Sequence, residues 1–259
     1  MSLKEIASKD NEKIKFLRKL NQKKYRDKEG SFFVENLKII NDGIASGFYP
    51  ESLFLTEEFF NKNKTQIKNI LSKIALDDCY LVNEIINKSF TSLENPSGVC
   101  AVYKKQSNKV EISEPIIYLN GIVDPGNLGS IFRSSLAFGF KNIVLDENCV
   151  DLYNSKVISS AKDSIFKLRI EIDKNFVLLK KIKKKMNIFA TRLENGESIK
   201  KLKRRKHFCL VLGSESHGIS KEVEKMADNF IKINMSNKIE SLNVSVSAAI
   251  IFHYYYSNN

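Results

Sequence analysis

Long apolar runs are missing from this 259-residue chain, and so are paired cysteines, internal repeats and low-complexity tracts. No stretch approaches the roughly 18 apolar residues that a membrane helix needs, and the opening MSLKEIASKD lacks the apolar core of a secretory signal. A soluble, cytoplasmic protein with no membrane partner is therefore expected. Cys79, Cys100, Cys149 and Cys209 are scattered without a CxxC pair, which argues against zinc and against a disulfide framework. Core thiols in a reducing compartment fit better. The Gly-rich stretches carry no phosphate-binding lysine of the Walker type and no paired metal ligands, so no metal is expected.

What is abundant is positive charge, a net +12 with a pI near 9.4. That balance suits a polyanionic partner such as RNA, although heavy use of Lys, Asn and Ile throughout would also follow from an AT-biased genome. Residues 10–28 (DNEKIKFLRKLNQKKYRDK) place Ile14, Leu17 and Leu20 at helical spacing. Lys15, Arg18, Lys23, Lys24 and Arg26 cover much of the rest, and with Lys156 further along they are the candidate RNA contacts. A solvated basic helix is the alternative. Phosphate contacts would make binding strongly salt-dependent. The run KKLKRRKH (200–207) reads as a solvated loop.

The chain is long enough for two domains. Strands at 31–35, 52–56, 79–82 and 98–103 alternate with helical stretches at 37–45, 64–75 and 83–90, which describes a small α/β domain without a catalytic cluster. The polar stretch ending at Pro115 marks a boundary, giving an amino-terminal domain at 1–105, a linker at 106–114 and a second domain at 115–259. That domain alternates strands (116–120, 142–146, 187–192, 207–212, 229–234) with helices, including a Lys-rich one at 173–186 and a final one at 245–256. A mostly parallel sheet covered on both faces is predicted, with ligand loops at the carboxyl ends of its strands.

Three such loops stand out. In GIVDPGNLGS (121–130), Pro125 and Gly126 read as a turn before a helix at 130–139 that Gly139 closes. Arg133 would then sit one turn into that helix, where the macrodipole is already positive, a placement that favours an anionic partner over an ordinary surface arginine. In GSESHG (213–218), Gly213 and Gly218 flank Glu215, and glycine lets main-chain amides approach a ligand. In MSNKIESLNV (235–244), Ser241 and Asn243 precede the last helix. The three describe a cradle built from backbone, which holds a ligand without attacking it.

The ordered set NGIVDPGNLGSIFRSS, LVLGSESHGIS and INMSNKIESLNVSVSAAI resembles the three motifs of the SpoU (TrmH-type) family of the SPOUT superfamily, the S-adenosyl-L-methionine-dependent RNA ribose 2′-O-methyltransferases. Asn127 and Arg133 match the first motif, Gly213, Glu215 and Gly218 the second, and Ser241, Leu242 and Asn243 the third. Residues 1–105 look like the substrate-binding domain that many members carry. The resemblance implies an α/β fold with a trefoil-knotted cofactor site, a homodimer, and ribosomal RNA as substrate. Transfer RNA is the alternative substrate, and a noncatalytic RNA-binding or ribosome-assembly protein the alternative class.

By the same resemblance Gly213, Ile233, Met235, Leu242 and Val244 would contact the cofactor, and Asn127, Arg133, Glu215, Ser241 and Asn243 would be catalytic. The methyl donor is already activated as a sulfonium, so the protein has to align the ribose oxygen and help remove its proton. A guanidinium stays protonated, so Arg133 would hold phosphate and stabilise developing oxyanion charge, with Glu215 orienting it. Glu215 could instead satisfy loop amides, and Ser241 and Asn243 could simply cap the final helix. His217 invites a general-base role that the family pattern does not require. Three departures are visible: Asn234 in place of proline, Asn36 in place of glycine, where a positive φ would suit Asn, and SSAKD at 159–163.

Overall fold

The structure is a computed structural model of the whole chain and describes all residues except 1–2, 107–108, 203–205, 215, 237 and 259. It divides into two compact units, residues 1–106 with 153–159, and residues 107–152 with 160–259.

The first unit is built on a five-stranded sheet ordered β1-β4-β3-β5-β2. Its strands are β1 (Lys4–Ile6), β2 (Ser31–Val34), β3 (Ser52–Thr56), β4 (Cys79–Val82) and β5 (Val99–Lys104). β1, β4 and β3 run parallel, while β5 is antiparallel to both β3 and β2. The helices are α1 (Glu12–Leu20), α2 (Lys23–Glu29), α3 (Leu37–Ala45), α4 (Glu57–Lys62), α5 (Lys64–Leu71) and α6 (Glu84–Phe90). Ile14, Leu17 and Leu20, one stripe of α1, are buried against Phe33, Phe54, Tyr80 and Phe90, as amphipathic spacing dictates. The basic stretch expected as one helix is two, because the α1 helix ends at Asn21 and α2 restarts after an extended Gln22. Asn36 has φ −138° and caps α3 by accepting from Ile39 N at 3.1 Å, so it does not stand in for a left-handed glycine.

The second unit holds a seven-stranded sheet ordered β10-β12-β9-β11-β6-β7-β8, every recorded pairing parallel. Its strands are β6 (Ile116–Asn120), β7 (Asn142–Asp146), β8 (Arg169–Asp173), β9 (Asn187–Thr191), β10 (Glu197–Ser198), β11 (Phe208–Gly213) and β12 (Asn229–Lys232). Its helices are α7 (Pro125–Ala137), α9 (Ser164–Lys167), α10 (Val177–Lys183), α11 (Lys221–Met226) and α12 (Val244–Ser257), while α8 (Ser155–Ala161) belongs mostly to the first unit. The central strands are continuous apolar runs, IIYLN and FCLVL among them, because helices cover both faces. One face buries Tyr118, Val144, Ile188 and Val211 against Leu179, Ile182 and Val223. The opposite face carries a ring cluster in which Phe140 and Phe208 pack against Phe252 and Tyr255 of α12.

Strand order sets the position of the site. From β6 the chain steps outward through β7 to β8, then returns to build β9, β11 and β12 on the other side of β6. The order therefore reverses between β6 and β11, and ligands of open α/β sheets bind at the carboxyl ends of the strands near such a point.

Two expectations for this unit need correction. The first loop does not turn at Pro125 and Gly126: Asp124 is the N-cap, its carboxylate accepting from Asn127 N at 2.7 Å, and Pro125 opens α7. A proline at the first helical position loses no hydrogen bond and brings the right φ. The Lys-rich stretch at 173–186 is shorter as a helix, α10, and begins after an unforeseen strand, β8, whose RIEID pattern leaves it half-exposed at the sheet edge.

Candidate active site

Three strand ends converge on one cleft. Thr191 and Arg192 follow β9, Leu212 and Gly213 end β11, and Ile231, Lys232 and Ile233 come from β12 and its exit. Met235, Ser241, Leu242 and Val244, with Ser247 and Ile251 of α12, close the remaining wall. Free space in the cleft is about 790 Å³ with its open mouth included, within the range of small-molecule sites.

Ser214 and Gly218 close the second loop against each other. Ser214 N donates to Gly218 O and Gly218 N to Ser214 O, both at 2.9 Å. Gly218 has φ +65° with open space around it, a left-handed position that disfavours a side chain. Gly213 is glycine for another reason: a Cβ there would overlap the Gly218 carbonyl and Ile219 N of the loop's returning limb. The expected close approach is thus made first by the loop itself. His217 is exposed, with its Nδ1 2.7 Å from Ser216 Oγ; Glu215 lies outside the described residues.

The third loop ends in a cap that reaches the first. Asn243 Oδ1 accepts from Ser245 N at 2.9 Å and Val246 N at 3.3 Å, opening α12, while its Nδ2 donates to Asn127 Oδ1 at 2.9 Å. One side chain therefore starts the last helix and ties the two motif loops together, over a sequence distance of 116 residues. Ser241 contributes to the cleft wall and takes no part in the recorded capping bonds.

Of the residues singled out from sequence, Gly213, Ile233, Met235, Leu242, Val244 and Ser241 line this one cleft, while Asn127 and Asn243 are bonded to each other and do not line it. Arg133 does not line it. It is exposed on α7, the ninth residue of that helix, more than two turns from the N-terminus. The macrodipole argument for an anion at Arg133 therefore fails, since that field fades within the first turn. Sequence reading passed over Thr191, Arg192, Ile231, Ser247 and Ile251. The end of β9 was readable as a strand terminus near the switch point, but nothing in its residue types marked it. Arg192 is ion-paired with Glu224 and lies 4.2 Å over the Phe230 ring.

The basic residues of the first unit separate into different groups. Arg26 is buried, and its Nη1 donates to Leu20 O at 2.7 Å and Asn21 O at 2.8 Å, satisfying the carbonyl end of α1. It is a structural residue and not an RNA contact. Arg18 is half-buried and donates to Lys9 O, and Lys15 pairs with Glu12 at 2.9 Å. Lys23, Lys24 and Lys156 are exposed.

The interior offers few reactive groups. All four cysteines are free and buried, and burial pushes the Cys79 thiol up to about 11 and Cys100 well above its usual range, which leaves them as unreactive thiols. Among the described residues no group of three or more His, Cys, Asp or Glu could hold a metal ion, and no helix is long and apolar enough to cross a membrane.

Comparison with known proteins agrees with this architecture. Residues 114–253 match the SpoU rRNA Methylase family and residues 11–101 the MRM3-like substrate binding domain. The 23S rRNA (guanosine(2553)-2′-O)-methyltransferase RlmP of Bacillus subtilis (strain 168) is 27% identical over 253 residues, covering 97% of this chain and 99% of its own. A solved RNA 2′-O ribose methyltransferase superposes with a TM-score of 0.80 at 26% identity, covering 98% of each chain. The fold is also that of the AdoMet-bound rRNA methyltransferase of Sinorhizobium meliloti, with a TM-score of 0.84, 24% identity and 96% coverage of each chain. With a matched segment that spans over half of its length and contains every strand of the seven-stranded sheet, this chain belongs to the SpoU rRNA methylase family.

Proposed function

We propose that this protein transfers a methyl group from S-adenosyl-L-methionine to a ribose 2′-hydroxyl of ribosomal RNA. The observation that carries the reading is the cleft at the carboxyl ends of β9, β11 and β12, lined by the second and third motif loops, with the first loop tied to the third through Asn127 and Asn243. Its character suits the cofactor: apolar walls from Leu212, Ile231, Leu242, Val244 and Ile251 for a nucleoside, and loop residues Gly213, Ser214, Ile233 and Met235 whose main-chain groups would serve its edges. The cofactor supplies a methyl group already activated on sulfur. What remains for the chain is to hold the ribose, orient it and stabilise charge on its oxygen.

Asn127 and Asn243, fixed to one another, are the proposed positioning pair, with Ser241 beside them at the cleft wall. Arg133, which forms no recorded bond among the described residues, is free to hold an RNA phosphate and the developing oxyanion charge. Glu215 keeps its proposed role of orienting that arginine. Full-length similarity to an rRNA enzyme, the first unit included, favours ribosomal over transfer RNA. Lys23, Lys24 and Lys156 are the proposed phosphate contacts on that unit.

A homodimer is part of the proposal. α7 and α12 border an apolar groove lined by Phe138, Val246, Ala249, Ile250 and Tyr254, and Val246 and Ile250 are exposed by 47% and 37%. Pairing through that face would cover them. The cytoplasm, where thiols stay reduced, is the proposed compartment. Incubating the protein with tritiated S-adenosyl-L-methionine and ribosomal RNA from a strain lacking it tests the reaction. Incorporation that Arg133→Ala abolishes supports the reading, and no incorporation by folded protein refutes it. Sedimentation at micromolar concentration tests the dimer.

A further inference from the structure

A buried carboxylate that the proposed chemistry does not use ends β7, the second strand along the sheet from β11. The residue is Asp146, 3% exposed. Its Oδ2 accepts from Asn120 Nδ2 at 2.7 Å and Asn148 Nδ2 at 3.3 Å, and its Oδ1 accepts from Gly121 N at 3.0 Å. Asn120, itself 4% exposed, passes the connection on: its Oδ1 accepts from Ser220 N at 2.6 Å. Gly121 and Ser220 each belong to a motif loop. Gly121 is the first residue after β6 and takes φ +72° at the start of the loop that leads into α7. Ser220 ends the returning limb of the 213–218 loop and caps α11 through Val223 N. Asn120 is also the register partner of Gly213 across β6 and β11.

From this arrangement we infer that Asp146 is a positioning residue for the cofactor cleft, setting the first and second motif loops relative to one another through Asn120. It touches neither cleft nor substrate and acts only through the loops. The polarity of the chain is what makes the inference sharp. Asp146 supplies only acceptors, Asn120 donates with one end and accepts with the other, and Ser220 N and Gly121 N can only donate. In Asp146→Asn the shape is kept, but every orientation of the two amides leaves one pair of donors facing each other. If the introduced amide turns its oxygen to Asn120, its nitrogen meets Gly121 N; if it turns the other way and Asn120 flips to match, Asn120 Nδ2 meets Ser220 N. Exchanging the pair, Asn120→Asp with Asp146→Asn, restores the links to both loops: the new amide donates to the new carboxylate, which still accepts from Ser220 N, Gly121 N keeps its acceptor, and the exposed Asn148 amide has only to turn its oxygen toward the new donor.

The inference rests on the reading that the cleft binds S-adenosyl-L-methionine, so the wild-type titration by calorimetry comes first. No wild-type binding removes that reading, whatever the variants do. Given wild-type binding, Asp146→Asn should weaken the cofactor about tenfold per folded molecule, the order expected for one facing donor pair. The measurement is made well below the unfolding midpoint, where a role confined to stability leaves affinity unchanged. The exchanged double variant should return to within about threefold of wild type. Wild-type affinity in folded Asp146→Asn overturns the inference. So does a double variant that folds and yet binds no better than the single one. Should Asp146→Asn fail to fold, the double variant decides alone: wild-type affinity supports the inference and a tenfold loss refutes it.

Discussion

Replacing Gly213 by alanine probes the cleft at the point where its construction leaves least room. The added Cβ meets backbone on the opposite limb, the Gly218 carbonyl and Ile219 N, and not the movable end of a side chain. Relief requires the loop to open, which breaks the two hydrogen bonds between Ser214 and Gly218. Those bonds are worth about 0.5–1.5 kcal/mol each, and overpacking adds about 1–3 kcal/mol. The lower end of the sum is about 2 kcal/mol. Because the loop can open without unfolding the sheet, most of that cost should appear in ligand affinity, at least about 30-fold in Kd for S-adenosyl-L-methionine. Gly218→Ala provides the control, with a φ of +65° but nothing within 4 Å of the new Cβ. Its penalty is left-handed strain alone, about 1–2 kcal/mol, so its loss should be nearer tenfold. Calorimetric titration of both variants, with near-ultraviolet circular dichroism to verify folding, checks the order. Normal affinity in Gly213→Ala, or a larger loss in Gly218→Ala, would refute the steric reasoning.

Other perturbations separate further parts of the account. Asn243→Ser retains a residue able to cap α12, so the unfolding midpoint should move little, but serine is too short to reach Asn127 and methyl transfer should fall about fivefold or more. Arg26→Met leaves the Leu20 and Asn21 carbonyls without their donor and should lower stability by about 1–3 kcal/mol while leaving the salt dependence of RNA binding unchanged; Lys23→Ala with Lys24→Ala should do the reverse, lowering the slope of log K against log salt by about 2. Burial raises the Glu35 carboxyl above its ordinary value, against opposing hydrogen bonds from Thr91 and Ser92. A raised folded pKa gives stability that is full below the unfolded value and is lost as pH climbs through the folded one. Glu35→Gln should accordingly melt higher than wild type at pH 8, with the advantage vanishing toward pH 4.

The ligand loops were readable because a strand that ends in Gly, Ser or Asn in an open α/β sheet leaves its loop facing a ligand. The individual residues Ile233, Met235, Leu242 and Val244 came only from the resemblance to the SpoU motifs, and all four line the cleft. The start of α7 was misread because DPGN carries turn residues. The competing signal, an acidic N-cap followed by proline at the first helical position, was present in the same four residues. Arg26 was illegible in another sense. Nothing in KKYRDK says which cation turns inward; that depends on the carbonyls left bare where α1 ends. β8 escaped notice because an edge strand with a half-exposed RIEID sequence lacks the apolar run of its inner neighbours. The Asp146 connection could not be read at all, since it joins Asn120, Gly121 and Ser220 across as many as 100 residues of sequence.

The central claim is chemical, and locating the transferred methyl group tests it most directly. Ribosomal RNA from a strain lacking this protein, treated with the protein and isotopically labelled S-adenosyl-L-methionine, is digested to nucleosides and read by mass spectrometry. The account predicts one labelled nucleoside whose methyl group fragments with the ribose and which resists alkaline cleavage at its 3′ side. A label that fragments with the base, or unlabelled RNA beside protein that binds the cofactor, would contradict it.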